Sequence, residues 1–409
     1  MPLHKNDIAV IVLDGHLKSA LSVVRSLGKK GITVSAGSTR NTAMSLHSKY
    51  AASTFVYPSP YTHQKEFVDA VIKAASTLDS SPVVYVLSDA TYLTLFQYRD
   101  VLKEHLRLVF PEATSVEIAF DKAATHSQAK VLGVPVVPTY LPATEEEVAR
   151  LSGEMEYPVV VKNRQSVTWK DGVGIFGSAE FIHTKEQLRT CFVKLTEETG
   201  TTPIVQPFIE GEEYGVELLL KEGSILAQTV HHRIRSLSPS GGASVLKETL
   251  PIEGSALVMY ERACTLARAL SWSGPMMVEF KVERDSREPL LMEINGRWWG
   301  SLPLAIKAGV DFPYLQYQMS CGVDMSESVV SAKPEIVTRH FLGDVRHLLR
   351  VWFSHDKMRE LLYPARTKAL RDFLRVPMRT AGDVLSWSDL KPSIMEYIDI
   401  LKNLWTTKA

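Results

Sequence analysis

Two glutamates and an asparagine near position 290 are the residues whose types and spacing first suggest chemistry. Glu279 and Glu293 sit inside apolar runs, 276–283 and 289–295, that read as two strands around the turn 284–288. Centring that hairpin on Ser286 puts the two glutamates seven positions to either side, directly opposed. Opposed side chains in a strand pair have Cβ atoms about 4.5–5.5 Å apart, so like charges there repel and something should compensate. Strand side chains alternate, so Glu293 and Asn295 share a face. Two carboxylates and an amide oxygen are hard ligands. They suit Mg2+, which takes one or two carboxylates and shares its other positions with phosphates and water. Arg297 continues the same parity, and its guanidinium can meet phosphate or carboxylate oxygens two at a time. A solvated hairpin with ordinary ion pairs is the competing reading; the apolar flanks favour the metal.

Lysines upstream point to a nucleotide. Lys162 ends the apolar run 158–162, just before a polar segment, 163–177, punctuated by Gly172, Gly174 and Gly177. An ammonium there can reach a phosphate beneath a mobile loop whose N–H groups cradle phosphate oxygens. Lys122, on a helical stretch at 120–132, offers a second ammonium. The pattern GxxxxGK[ST] is absent, which excludes a P-loop. On the strand 225–235, His231, Arg233 and Arg235 share a face, followed by the turn Ser238-Pro239-Ser240-Gly241-Gly242. Two arginines there suit a substrate carboxylate or an acyl phosphate, or else a solvated basic edge. His231 and His232 lack partners that would make them metal ligands.

The elements that must position these groups fall into three blocks. Residues 1–112 alternate strand and helix (8–13, 19–30, 32–36, 64–78, 82–87), which implies parallel strands in a doubly wound α/β domain. Its first turn has Gly15 alone where the dinucleotide fingerprint needs three glycines. Asp14, Ser88 and Asp89 lie just beyond strand ends, where open sheets bind ligands, although turn and cap duty serves them equally well. Residues 113–330 read as α+β, rich in antiparallel strands, with a lid subdomain at about 155–210. Residues 331–409 place Phe341, Leu342, Val345, Leu348, Leu349 and Trp352 at helical spacing. That tail reads as a helical extension packed on the body or on a second copy, with a peripheral membrane role as the alternative.

Composition sets the outer limits. Lys plus Arg equals Asp plus Glu at 46 each, leaving no overall footprint for nucleic acid. No apolar run approaches the ~20 residues that span a bilayer. The three cysteines, Cys191, Cys264 and Cys321, are too scattered for a disulfide framework. With a polar start at residues 1–7, these features lead us to expect a cytoplasmic protein without a membrane span.

Lys122, the run 158–162, the segment 163–177, the run 205–213 and the run 292–297 occur in an order that resembles the ATP-grasp superfamily. Within it, the chain is similar to the carboxylate–amine ligases. The resemblance implies an N-terminal α/β domain, an ATP-grasp fold and a mostly helical C-terminal segment. It implies that Lys122 and Lys162 contact ATP phosphates, and that Gln206 with Phe208, Ile209 and Glu210 holds the adenine. Glu213 would take the ribose hydroxyls. Glu279, Glu293 and Asn295 would bind Mg2+ (or Mn2+ in its place), and Arg297 would steady the transferred phosphate. Gln206 stands where many relatives carry a glutamate, but an amide can still meet the exocyclic amine. Arg233 and Arg235 then fall on the substrate side. The implied activity joins an amino-acid-like carboxylate to an amine through an acyl phosphate, releasing ADP and phosphate, with a homodimer compatible with the tail. Rivals are carboxylation, phosphorylation of a hydroxyl, and a non-catalytic ATP-binding module.

Overall fold

The computed structural model of the protein describes residues 8–406, apart from 178, 239–240, 326–328, 355–362 and 377–379. The polar start at 1–7 and residues Pro239 and Ser240 of the expected turn lie outside the described residues.

Four short parallel strands open the chain: β1 (Val10–Val12), β2 (Val34–Ser38), β3 (Ser53–Val56) and β4 (Val83–Tyr85), in the order β3-β2-β1-β4. The order reverses between β1 and β4, so the ligand crevice of such a sheet lies beyond their carboxyl ends. The helix Lys18–Gly28 buries Leu21, Val24 and Leu27, the stripe its periodicity predicts. β3 escaped the sequence reading. It is an edge strand with mostly exposed side chains, so it lacks an apolar signature.

Among the described residues the main sheet has eight strands. Its path runs β14 (Pro289–Asn295), β13 (Gly274–Glu283), β10 (Gly211–Lys221), β11 (Ser224–Ser238), β12 (Gly241–Leu250), β16 (Val337–Arg339) and β17 (Ala381–Gly382); β15 (Val330–Ser331) pairs with β11. The helix Gly254–Ala269 covers one face, and a core including Met259, Trp272, Met276 and Phe280 fills the space between. A smaller sheet, β8 (Ala179–Ile182), β5 (Val159–Lys162) and β9 (Ile204–Pro207), is backed by Leu188, Phe192 and Leu195 of the helix Lys185–Thr199.

Two expectations change. The polar segment 163–177 is not an open loop. Val167–Lys170 (β6) and Val173–Phe176 (β7) pair as a hairpin, turned by Asp171 and Gly172 at φ 52° and 77°. Two consecutive left-handed residues match the twist of a tight hairpin, a cue that glycine spacing alone did not reveal. The hairpin is docked: Gly174 N–H donates to the Tyr61 carbonyl at 2.6 Å, and Trp169 Nε1 to that of Pro60 at 3.3 Å. A Cβ at Gly174 would lie 2.8 Å from Tyr61 Cδ1. Gly174→Val is therefore expected to undock the hairpin, which limited proteolysis within 163–177 would register as faster cleavage than in the parent chain.

The tail is also more than a helical appendage. Besides the helices Phe341–Phe353, Arg366–Leu374 and Lys391–Thr406, it supplies β16 and β17, because the free edge of β12 offers partners for their backbone groups. It then returns to the N-terminal unit. Asp383 meets both Lys18 and Lys247, and Asp389 accepts from Arg25, Ser48 and the Lys49 N–H. Among the described residues no helix is long and apolar enough to cross a membrane.

Candidate functional site

β13 and β14 bring Glu279 and Glu293 into direct register, but not by the symmetry first assumed. Phe280, Lys281 and Val282 pair with Leu291, Leu290 and Pro289, which centres the turn half a step before Ser286. A bulge at Met292 then restores the count, so Glu279 faces Glu293 and Met277 faces Asn295. The bulge is supported. His126 Nε2 donates to the Met292 carbonyl at 2.8 Å, and burial lowers the pKa of this imidazole, consistent with the neutral form.

The opposed glutamates are compensated from both sides. Lys122, the first residue of the helix Lys122–Val131, places Nζ 3.2 Å from Glu293 Oε2. The Asp121 side chain caps that helix by accepting from the N–H groups of Ala123 and Ala124, and an ion pair with Arg164 ties it to the lid. Lys122 is thus fixed by a cap, and the helical stretch expected at 120–132 is the helix Lys122–Val131, which follows a separate helix, Ala113–Phe120. Arg233 reaches Glu279 at 3.1 Å and Glu213 at 2.8 Å. Burial opposes ionisation of Glu293, yet the ammonium groups of Lys122 and Lys162 outweigh it and hold this carboxyl at about 2. For Glu279 burial prevails, aided by the neighbouring carboxylates, and its pKa is raised despite Arg233. Lys162, half-buried at the end of β5, has its pKa lowered by burial, with Glu293 opposing.

Asn295 Nδ2 lies 3.2 Å from Glu279 Oε1 and 3.4 Å from Glu293 Oε1, so the three side chains converge as parity predicts. Rotating the amide would present its oxygen to the same point. No three His, Cys, Asp or Glu side chains gather there among the described residues. Two carboxylates and an amide are the sparse oxygen set that Mg2+ completes with phosphates and water, so the residues fit that ion.

The nucleotide, metal and arginine candidates line one cleft of about 1530 Å3, which includes Lys122, Lys162, Gln206, Phe208, Ile209, Glu210, Glu213, Arg233, Arg235, Glu279, Glu293, Asn295 and Arg297, whereas His231, Asp14 and Ser88 do not line it. Gln206 is held by Thr139, to which its Nε2 donates at 2.9 Å. Phe208 packs edge-on to Phe181 and under Lys281, while Glu210 pairs with Arg284 at 2.6 Å. Several candidates also have partners within the protein. Arg235 is committed: Asp344, fully buried, takes its Nε and NH2 at 2.8 and 2.9 Å, because a bulge after Arg233 turns it away from its neighbour. Glu213 is engaged by Arg233 and also lies 3.8 Å from Lys281. Asp14 and Ser88 serve a turn and a cap: the Asp14 carboxylate accepts from Leu87 N–H, Ser88 and Thr91, and Ser88 caps the following helix. Asp89 does line the cleft, paired with Arg297 at 2.7 Å. The sequence reading missed Lys281, two positions from Glu279 and so on its face, and the wall formed by His347, Lys368, Asp372 and Arg375 of the tail. Strand alternation could have found the first; the second follows from long-range packing alone.

Comparison with known proteins gives matches in sequence and in fold. The family model described as "ATP-grasp in the biosynthetic pathway with Ter operon" matches residues 200–341. The carbamoyl phosphate synthase large chain of Saccharolobus islandicus is 26% identical over 217 residues, 51% of this chain and 19% of that protein. The chain thus spans about a fifth of the length of such curated relatives. Two solved structures share the fold. A biotin carboxylase–beta-gamma-ATP complex from Campylobacter jejuni superposes with a TM-score of 0.63 at 17% identity, over 78% of this chain and 72% of that one. N5-carboxyaminoimidazole synthetase from Staphylococcus aureus gives 0.62 at 16% identity, over 86% and 88%.

Proposed function

We propose that this chain, a member of the ATP-grasp superfamily, joins a small carboxylate to an amine with ATP, releasing ADP and phosphate. The observation that carries the reading is the convergence of Glu279, Glu293 and Asn295 beside Lys122, Lys162 and Arg297 in one cleft. Lys122 and Lys162 bind the phosphates, Gln206 and the backbone of Phe208 to Glu210 take the adenine, and Glu213 takes the ribose. Glu279, Glu293 and Asn295 would hold Mg2+, which when bound neutralises phosphate charge. A substrate carboxylate oxygen attacks the γ-phosphorus; the bond to ADP breaks and an acyl phosphate forms. The amine nitrogen then attacks the carbonyl carbon, the carbon–oxygen bond breaks, and phosphate leaves with the electron pair.

Arg297, oriented by Asp89, steadies the charge that develops on the transferred group, and Arg233 keeps Glu279 ionisable. Phosphoryl transfer needs little covalent help, so positioning and fixed charge supply most of the acceleration. The docked hairpin β6–β7 would keep water from the acyl phosphate.

A second reading keeps this chemistry and changes the acid. The named relatives include a carboxylase and a carbamoyl phosphate synthase, which favours bicarbonate as the carboxylate. Incubation with ATP, Mg2+, pooled amino acids and 13C-bicarbonate separates the two. The first reading predicts ADP release with new unlabelled condensed masses, and the second predicts labelled products. AMP and pyrophosphate would contradict both.

A further inference from the structure

Behind the phosphate end of the cleft, three buried polar side chains meet that the nucleotide and metal assignments leave unused. β10 pairs with β13 so that Glu213, Gly215 and Glu217 stand opposite Lys281, Glu279 and Met277. Alternation therefore puts Glu217 on the face that carries the metal-site glutamate. Glu217 is fully buried; its Oε1 accepts from Ser301 Oγ at 2.6 Å and lies 3.2 Å from His231 Nδ1. Its second oxygen, Oε2, is buried without a hydrogen-bond partner among the described residues. The absence of a side chain at Gly215 leaves room for the His231 ring, which a Cβ there would strike. Ser301 lines the cleft, four residues beyond Arg297. A buried carboxylate oxygen left without a donor is costly.

We propose that Ser301 is the group that takes the proton from the attacking amine, passing its own proton to Glu217. The inference rests on the carboxylate–amine reading. As the nitrogen–carbon bond forms and phosphate departs, the surplus proton on nitrogen moves to Ser301 Oγ while the Ser301 proton moves to Glu217 Oε1. Glu217 becomes neutral and later returns the proton by the same route to the departing phosphate. Ser301 is the catalytic residue. Glu217 and His231 act through it and position it. The titratable and charged groups facing Glu217 are His231 on β11, Lys247 on β12 with Asp383 and Lys18 behind it, and Glu279 on β13.

Hydroxylamine separates this role from a structural one, because its nitrogen is largely unprotonated at neutral pH and needs no base to attack an acyl phosphate. Parent chain, Ser301→Ala, Glu217→Gln and Ser301→Thr are each given Mg2+, ATP and pooled amino acids, with and without hydroxylamine. Condensed product and hydroxamate are measured together. The ratio of condensed product to hydroxamate is expected to fall about 100-fold or more in the Ala and Gln variants. It should recover partly as pH rises and the amine loses its proton in solution, and Ser301→Thr should restore it. An unchanged ratio, or equal loss of both products, overturns the relay and leaves the ligase reading standing. ADP release by the parent chain with neither hydroxamate nor condensed product overturns the acyl phosphate and the relay with it.

Discussion

Glu293→Gln is expected to lower ATP turnover by about three orders of magnitude while the chain stays folded. Metal and charge stabilisation of a transferring phosphoryl group is worth several kcal/mol, and each ~1.4 kcal/mol is tenfold in rate. Glu293 serves that purpose twice, as an oxygen donor beside Glu279 and as the anion that orders Lys122. Stability should change little, because the amide loses the Lys122 pair but also removes a like charge opposite Glu279. ADP release gives the rate, and thermal melts with and without Mg2+ and ATP give the binding. The parent chain should be stabilised by the pair of ligands and the variant should not. A variant with ordinary turnover would remove Glu293 from the site.

Asp383→Asn should have the largest effect on stability. Asp383 lies 2.8 Å from Lys18 and 2.6 Å from Lys247, with its side chain and that of Lys247 fully buried. Removing one partner of a buried ion pair costs about 3–5 kcal/mol, because the remaining charge is left uncompensated. Here one residue of the tail holds an N-terminal helix to the main sheet, so its loss should lower the denaturation midpoint of the whole molecule. Adding Lys247→Met should recover part of the loss, since one of the two unpaired ammonium groups goes.

The acid dependence follows in sign. Burial opposes ionisation of Asp383, but Lys18 and Lys247 outweigh it and hold its carboxyl well below the usual 3.8. The unfolded chain therefore takes up this proton first as pH falls. The stability from Asp383 is present above about 3.8 and is lost as pH drops towards the lower folded value. The Asn variant should lack that slope. Equal acid slopes in the two proteins would show that Asp383 is not the linked group.

The chemistry was more legible than its supports. Period-two alternation and the spacing of Glu279, Glu293 and Asn295 predicted their convergence, because strand parity is a local rule. The same rule gave the right pairing from a wrong turn: the half-step error in centring and the bulge at Met292 cancel. Bulges depend on neighbours such as His126, more than 160 positions away in sequence, and no local pattern announces them. The partner of Arg235 was hidden for a related reason. Asp344 comes from a helix in the tail, so a residue that reads as substrate-facing also holds the tail. Glu217, embedded in an apolar run, looked like an ordinary strand residue until Ser301 and His231 were placed beside it.

The central claim is that a substrate carboxylate attacks the γ-phosphorus of ATP in the cleft between Lys122, Lys162 and Glu293. The most direct test supplies pooled amino acids with 18O in their carboxyl groups, together with ATP and Mg2+, and follows the isotope in the released phosphate. Transfer of one 18O into inorganic phosphate, matched to ADP and condensed product, is the result expected here. Unlabelled phosphate, or label recovered in AMP, would contradict it.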